Sequence, residues 1–185
     1  MFVYHGKPQL EHAYGLLQPL CAKVFVSNRP DQAAAAKNLP QLHDLPQFSG
    51  IGPLGGILSA MARHPGASWL VLACDLPFVT SETLKFLIEQ RDQSQIATAF
   101  MSTHDQLPEP LCAIWEPRAQ VAAGELLKSG VQCPRKLFIQ FKAKLISQKD
   151  HRWLDNVNNP AEYQSAVQGL KNGENMGKIR KIGEK

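Results

Sequence analysis

The stretch Trp69-Leu70-Val71-Leu72-Ala73-Cys74-Asp75-Leu76-Pro77-Phe78 decides the reading of this chain. Six apolar residues in succession, Trp69 to Cys74, predict a strand covered on both faces, as is usual in parallel sheets. The run stops at Asp75, ahead of a turn through Leu76-Pro77. Thr80-Ser81-Glu82 before Leu84, Phe86, Leu87 and Ile88 then predicts a helix start, because a hydroxyl can accept an orphan amide hydrogen bond there.

Outward from this segment, short apolar runs alternate with longer amphipathic stretches, the pattern of an α/β sheet with crossover helices. Helices are predicted over Leu10 to Leu20, where Leu10, Tyr14 and Leu17 have helical spacing, and from about Arg118 to Lys128, stopped by Gly130. A closing helix is predicted over Pro160 to Leu170. Further strands are predicted at Val24 to Val26, Ile96 to Phe100, Leu111 to Trp115 and Leu137 to Ile139. Residues 171–185, KNGENMGKIRKIGEK, lack periodic apolar positions and read as a basic flexible tail after one domain over residues 1–170.

The composition of the 185 residues, 44% hydrophobic and 19% charged, suits one globular domain and excludes a disordered polymer. Of the formal charge of +4, +3 lies in the last fifteen residues, so the body is near neutral and no nucleic-acid-binding face is implied. Cys21, Cys74, Cys112 and Cys133 are widely separated and show no zinc-ligand spacing, which suggests buried free thiols in a reducing compartment. No apolar run approaches the roughly 20 residues of a membrane span. The start MFVYHGKPQLEH lacks signal-peptide regions, so the expected location is the cytoplasm, with no membrane partner.

Four segments can carry chemistry. Asp75 follows the strongest strand directly, where ligands of open parallel sheets bind. A carboxylate there could hold Mg²⁺, which takes one or two protein carboxylates and bridges to phosphates, or it could simply cap the Leu76-Pro77 turn. The residues alone leave both readings open. Ser49-Gly50-Ile51-Gly52-Pro53-Leu54-Gly55-Gly56-Ile57 leads into an apolar helix; it can bring backbone amides close to an anion or ring, or be a plain tight turn. It matches neither GxxxxGK[ST] nor GxGxxG in register. Asp155-Asn156-Val157-Asn158-Asn159-Pro160 reads as a capped helix start or as a source of neutral oxygens for the same metal. Arg135-Lys136 could clamp a phosphate or be a solvated pair.

Taken in order, HGKP at 5–8, VFVSNRP at 24–30, Asp44, GIGPLGGI at 50–57, LACDLPF at 72–78, PEPLCAIW at 108–115 and NVNNP at 156–160 resemble the molybdenum cofactor guanylyltransferase (MobA-like) family of the nucleotidyltransferase superfamily. The resemblance runs from about residue 4 to about residue 165, and GPLGGI followed by a strand ending in CDLPF is its most specific element. It implies a Rossmann-like, three-layer α/β fold with a mostly parallel sheet. It also implies transfer of GMP from GTP to molybdenum-carrying molybdopterin with release of pyrophosphate, using Mg²⁺. By the same resemblance Asn28 and Asp44 contact the guanine nucleotide, Gly52 and Gly56 let base and ribose pack on backbone, and Asp75 binds the metal and is catalytic. Asn156 and Asn158 lie near the metal or the pterin phosphate, and Arg135 faces the pterin. A molybdoenzyme or its chaperone is the implied recipient of the product.

One departure stands beside these matches. The family opens with a strand and the loop LxGGxSxRMGxDK, whose amides, Arg and Lys hold the triphosphate, and this sequence begins just after that point. A sheet without its first, central strand is therefore expected. Two alternatives to guanylyl transfer follow: a non-catalytic nucleotide- or molybdopterin-binding module, and a nucleotidyltransferase using another nucleotide such as CTP.

Overall fold

Pro108–Trp115, designated β5, is the longest strand and organises the rest. The structure, a computed structural model, describes residues 6–36, 38–157 and 164. Residues of β5 alternate between two apolar clusters, Ala113 and Trp115 on one face and Cys112 and Ile114 on the other. Such double burial leaves backbone amides and carbonyls no water, so both edges must be paired. Trp69–Leu72 (β3) runs antiparallel along one edge, with Leu72 opposite Cys112. Ala97–Met101 (β4) runs antiparallel along the other, with a register shift at Ala99/Phe100. Beyond β4, Lys144–Ser147 (β6) adds a parallel strand, giving the order β3-β5-β4-β6. Val26–Asn28 (β1) and Gln41–His43 (β2) form a second, parallel pair.

Helices cover both faces of the larger sheet. Pro53–Arg63 (α2), Ala119–Lys128 (α4) and Pro134–Gln140 (α5) contribute Leu54, Leu58, Ala123, Leu126 and Phe138 to the cluster around Trp115. On the opposite face, Gln9–Leu17 (α1) and Ser81–Glu89 (α3) pack Leu16, Leu17, Leu84 and Leu87 with Phe100, Ile114, Trp153 and Leu154. This is the expected three-layer α/β architecture. Its parallel character lies in the β1-β2 and β4-β6 ladders, while β5 opposes both of its neighbours. Among the described residues no ladder joins β1 to β3. None of the described helices is long and apolar enough to cross a membrane.

Local signals mostly hold. Thr80 caps α3 in a reciprocal box with Thr83, and Gly130 ends α4 with φ 77°. Other expectations need correction. The run from Trp69 forms a strand only to Leu72, and all four residues stay partly exposed, with a partner on one edge alone among the described residues. The first strand lies at Val26–Asn28 rather than Val24–Val26. Leu137 to Ile139 is helix, not strand: Pro134 at the first helical position pre-sets φ and lacks only an amide that a helix start leaves unpaired. Of the four thiols only Cys112 is buried, where desolvation raises its pKa to about 12, while Cys74 and Cys133 are exposed. The closing helix, the tail and Asn158 lie outside the described residues, apart from Gln164.

Where β3 begins and β5 ends, Glu116 is 2% exposed. Its Oε1 accepts from Arg91 Nε at 2.6 Å, and its Oε2 from Arg91 Nη2 at 2.9 Å and Ser68 Oγ at 2.7 Å. Burial opposes ionisation of this carboxyl, but the hydrogen bonds from Arg91 and Ser68 outweigh it and its pKa is lowered. Glu116→Gln is expected to cost about 2 kcal/mol at neutral pH, the scale of charged hydrogen bonds left incomplete. A depressed folded-state pKa contributes stability above the unfolded value, so the difference from wild type should close as the pH falls through about 4 and below. Urea unfolding at several pH values measures it; a difference that grows on acidification contradicts this account.

Candidate functional site

The walls of an open cleft of about 490 Å³ come from β1, from β3 along its length and on to Asp75, from one face of α1 between Leu10 and Leu17, and from α2 between Pro53 and Ala60. Asn28 ends β1 on one wall. Its Nδ2 donates to Gln41 Oε1 at 2.8 Å, and Gln41 Nε2 in turn donates to the Ala36 carbonyl at 3.1 Å. This chain of bonds orients the amide so that Asn28 Oδ1 is left buried without a partner among the described residues. An unpaired acceptor of that kind costs about 1–3 kcal/mol unless a ligand donates to it.

Asp44, just after β2, lies against the start of α2. Its two carboxylate oxygens stand 3.3 and 3.5 Å from where Cβ atoms on Gly55 and Gly56 would sit. The positive end of the helix favours a carboxylate at this place. Gly52 caps α2 with φ 65°, in the left-handed region open to glycine, and Pro53 occupies the first helical position. The two following glycines serve packing: a Cβ on Gly55 would overlap the Phe48 carbonyl oxygen, and one on Gly56 would overlap Ser27 Oγ. Bare backbone thus lets α2 sit down on β1.

Asp75 faces the cleft from the other wall. The β3-β5 ladder carries on past the strand, with Ala73 N donating to the Leu111 carbonyl at 2.7 Å, and the chain then turns. The Asp75 carbonyl accepts from Val157 N at 3.0 Å, which ties the 155–157 segment beside it. The Asp75 carboxylate has no hydrogen bond or ion pair with another described residue, so it does not act as a cap of the Leu76-Pro77 turn. Among the described residues lining the cleft, Arg29 alone is cationic, and its Nε is engaged by Asp31 at 3.1 Å. The mouth is therefore acidic.

Of the residues singled out from the sequence, Asn28, Asp44, Gly52, Gly56 and Asp75 line this one cleft. Asn156 is exposed next to Val157, outside the lining. Arg135 also lies outside it, at the start of α5, where Asp105 holds it at 2.7 Å and Glu109 at 3.4 Å. Gly55 and Ser27 were not singled out; the GlyGly pair ahead of an apolar helix was their only signal. No cluster of three or more metal-ligating His, Cys, Asp or Glu exists among the described residues. An unpaired Asp75 still fits Mg²⁺, which needs few protein carboxylates when phosphates supply the remaining oxygens.

The sequence profile of the MobA-like NTP transferase domain matches residues 1–145. The chain belongs to this family. It is 34% identical over 162 residues to a molybdenum cofactor biosynthesis bifunctional protein of Synechocystis, covering 86% of this chain but only 46% of that relative. It is 27% identical over 176 residues to a probable molybdenum cofactor guanylyltransferase of Bacillus anthracis, covering 91% and 87% of the two chains. In structure it is similar to molybdopterin-guanine dinucleotide biosynthesis protein A of Archaeoglobus fulgidus, with TM-score 0.73, 20% identity, and 93% and 89% coverage. A 2-C-methyl-D-erythritol 4-phosphate cytidylyltransferase of Thermus thermophilus matches at TM-score 0.68 with 14% identity, covering 91% and 92%. At these identities the two structures support the fold, a Rossmann-like nucleotidyltransferase fold.

The glycine geometry makes an ordered expectation. Gly55→Ala meets backbone and should destabilise by about 2 kcal/mol, whereas Gly56→Ala meets a side-chain hydroxyl that Ser27→Ala removes. Thermal unfolding of Gly56→Ala alone and together with Ser27→Ala should therefore show rescue, with none for Gly55→Ala. Equal behaviour of the two positions would mean that α2 does not pack on β1 through these contacts.

Proposed function

We propose that this chain carries the nucleotidyl-transfer site of a molybdenum cofactor guanylyltransferase, moving GMP from GTP to molybdenum-molybdopterin. The observation behind this reading is the pairing, within one cleft, of an Asn28 acceptor and an Asp75 carboxylate that both lack a partner among the described residues. The names borne by the relatives add to it. Guanine presents ring N–H and exocyclic NH₂ donors on one edge, and Asn28 Oδ1 with the Asp44 carboxylate offers acceptors for both. Cytosine has a single amine to offer, so this wall suits GTP better than CTP. Gly52 has open space beside its backbone at the start of α2, where base or ribose can pack, whereas the space beside Gly56 is taken by Ser27.

The far end of the nucleotide would then lie toward Asp75. A terminal phosphate oxygen of the pterin attacks the α-phosphorus of GTP; the new P–O bond forms as the bond to the bridging oxygen breaks, and pyrophosphate leaves. That oxygen is already ionised, so no general base is needed, and positioning and charge neutralisation carry the rate. Mg²⁺, when bound, supplies positive charge at the phosphate oxygens. Asp75 is the residue to hold it, with Asn156 on the segment tied beside it and, by the resemblance alone, Asn158 as sources of neutral oxygens. Arg135 would meet the pterin only by leaving Asp105 and Glu109. The cytoplasm is the natural setting for a reaction consuming GTP, and transfer of product to a molybdoenzyme or its chaperone would follow.

A second reading, a binding module without catalysis, is favoured by Arg29 being the single cation among the described residues that line the cleft. One assay separates the two. With GTP, Mg²⁺ and molybdenum-loaded molybdopterin, the chain should release pyrophosphate, and Asp75→Asn should lower that rate at least 100-fold while leaving the melting temperature nearly unchanged, since no described group loses a partner. GTP binding without pyrophosphate release in the unaltered chain would instead establish the second reading. Undiminished turnover in Asp75→Asn would overturn the role of Asp75.

A further inference from the structure

The side-chain amide of Asn28 can turn either its oxygen or its NH₂ toward a bound base, and the two ends accept different bases. What decides between them lies off the cleft. Gln41 is not among the lining residues. On the β1-β2 ladder it stands opposite Val26, so it shares a face with Asn28, two residues further along β1. The backbone of Asn28 is held separately, its carbonyl accepting from His43 Nδ1 at 3.2 Å. Loss of the Gln41 side chain would therefore free the Asn28 amide without releasing the strand that carries it.

The orientation is set from a group that has no choice. The buried Ala36 carbonyl can only accept, and it takes hydrogen bonds from Leu39 N at 2.9 Å and Gln41 Nε2 at 3.1 Å. With its NH₂ used there, Gln41 turns Oε1 toward Asn28 and accepts from Nδ2 at 2.8 Å. Asn28 then carries its oxygen on the remaining side, screened from water. Reversing Asn28 alone would set oxygen against oxygen. Reversing Gln41 as well would set its oxygen against the Ala36 carbonyl. Either change loses a hydrogen bond and adds a repulsion where water gives little relief, so a single orientation is locked.

We infer that Gln41 is a positioning residue that sets the base preference of the site by holding Asn28 as an acceptor, a role that rests on the guanine reading above. Gln41 itself meets no part of the nucleotide. Guanine offers donors on this edge, a ring N–H and an NH₂. Xanthine has a carbonyl oxygen in place of that NH₂, and adenine has a bare ring nitrogen in place of the N–H. A freed Asn28 could turn its own NH₂ toward either acceptor, and a mismatch that the locked amide penalises would become a hydrogen bond. The Asp44 carboxylate accepts whatever stands at position 41, so it keeps its own share of the preference and the effect of Gln41 is partial.

The test compares the affinities of GTP, xanthosine triphosphate and ATP for the full chain, read from backbone-amide NMR titrations, in the unaltered protein, Gln41→Leu and Gln41→Glu. Leucine frees the Asn28 amide, so the preference for GTP over the better of the other two should fall about tenfold, the scale of one misdirected hydrogen bond. Glutamate still accepts from Asn28 Nδ2 but sets its second oxygen against the Ala36 carbonyl, so it should lower the melting temperature and yet keep the preference within about threefold. Hydrogen exchange of the Asn28 side-chain NH₂ should speed up in Gln41→Leu and stay slow in Gln41→Glu. A preference unchanged in Gln41→Leu, or lost equally in both variants in step with their melting temperatures, overturns the role of Gln41 and leaves the guanine reading standing. An unaltered chain that binds GTP no better than the other two overturns the guanine reading, and this role with it.

Discussion

The ladder between β3 and β5 places everything else in the site. Four residues of β3 are held by one partner, in a register that puts Leu72 opposite Cys112 and continues through the bond from Ala73 N to the Leu111 carbonyl. β5 in turn is fixed by β4 and by clusters on both faces, so it cannot slip without turning Trp115 and Cys112 to the wrong sides. The carboxylate of Asp75 therefore stands at a defined height above the sheet. Its approach to the acceptors on β1 depends on α2, which bridges the smaller sheet and the main core.

That bridge explains the glycines better than a ligand does. Gly55 and Gly56 leave α2 close to Phe48 and Ser27, and Leu54, Ile57 and Leu58 of the same helix reach the Trp115 cluster. Asp44 sits over the same turn, so one helix start serves both packing and the acidic wall. Glu116, with Arg91 and Ser68, fastens the opposite end of β3. The electrostatics divide accordingly: the lower carboxylate is saturated with donors, and the upper ones are left open. Stability lies below and binding capacity above.

Several parts of this arrangement were legible in the residues. Thr80 marked a cap because a hydroxyl ahead of an apolar helix has one favourable use, and Gly130 marked a stop for the reason that glycine tolerates φ 77°. Asp75 stood out because nothing else polar follows the apolar run. Other parts were not legible. β2 and β6 bury only Leu42 and Ile146, so neither carries a hydrophobic pattern. Leu137 to Ile139 is too short for its period to tell helix from strand, and Pro134 was the deciding residue. The orientation of Asn28 depends on Gln41 and Ala36, which only the fold brings together. That no ladder joins β1 to β3 among the described residues follows from no local pattern in the sequence.

The central claim is that Asn28, Asp44 and Asp75 form a single nucleotide site. Paramagnetic broadening by Mn²⁺ with GTP, read on the backbone amides by NMR, tests it most directly. Broadening centred on Cys74 to Leu76 and decaying toward Asn28 and Gly52, absent with Mn²⁺ alone at the same concentration, is the result this account predicts. Broadening centred instead on Asp105, Glu109 and Arg135, with the amides around Asp75 unaffected, would contradict it.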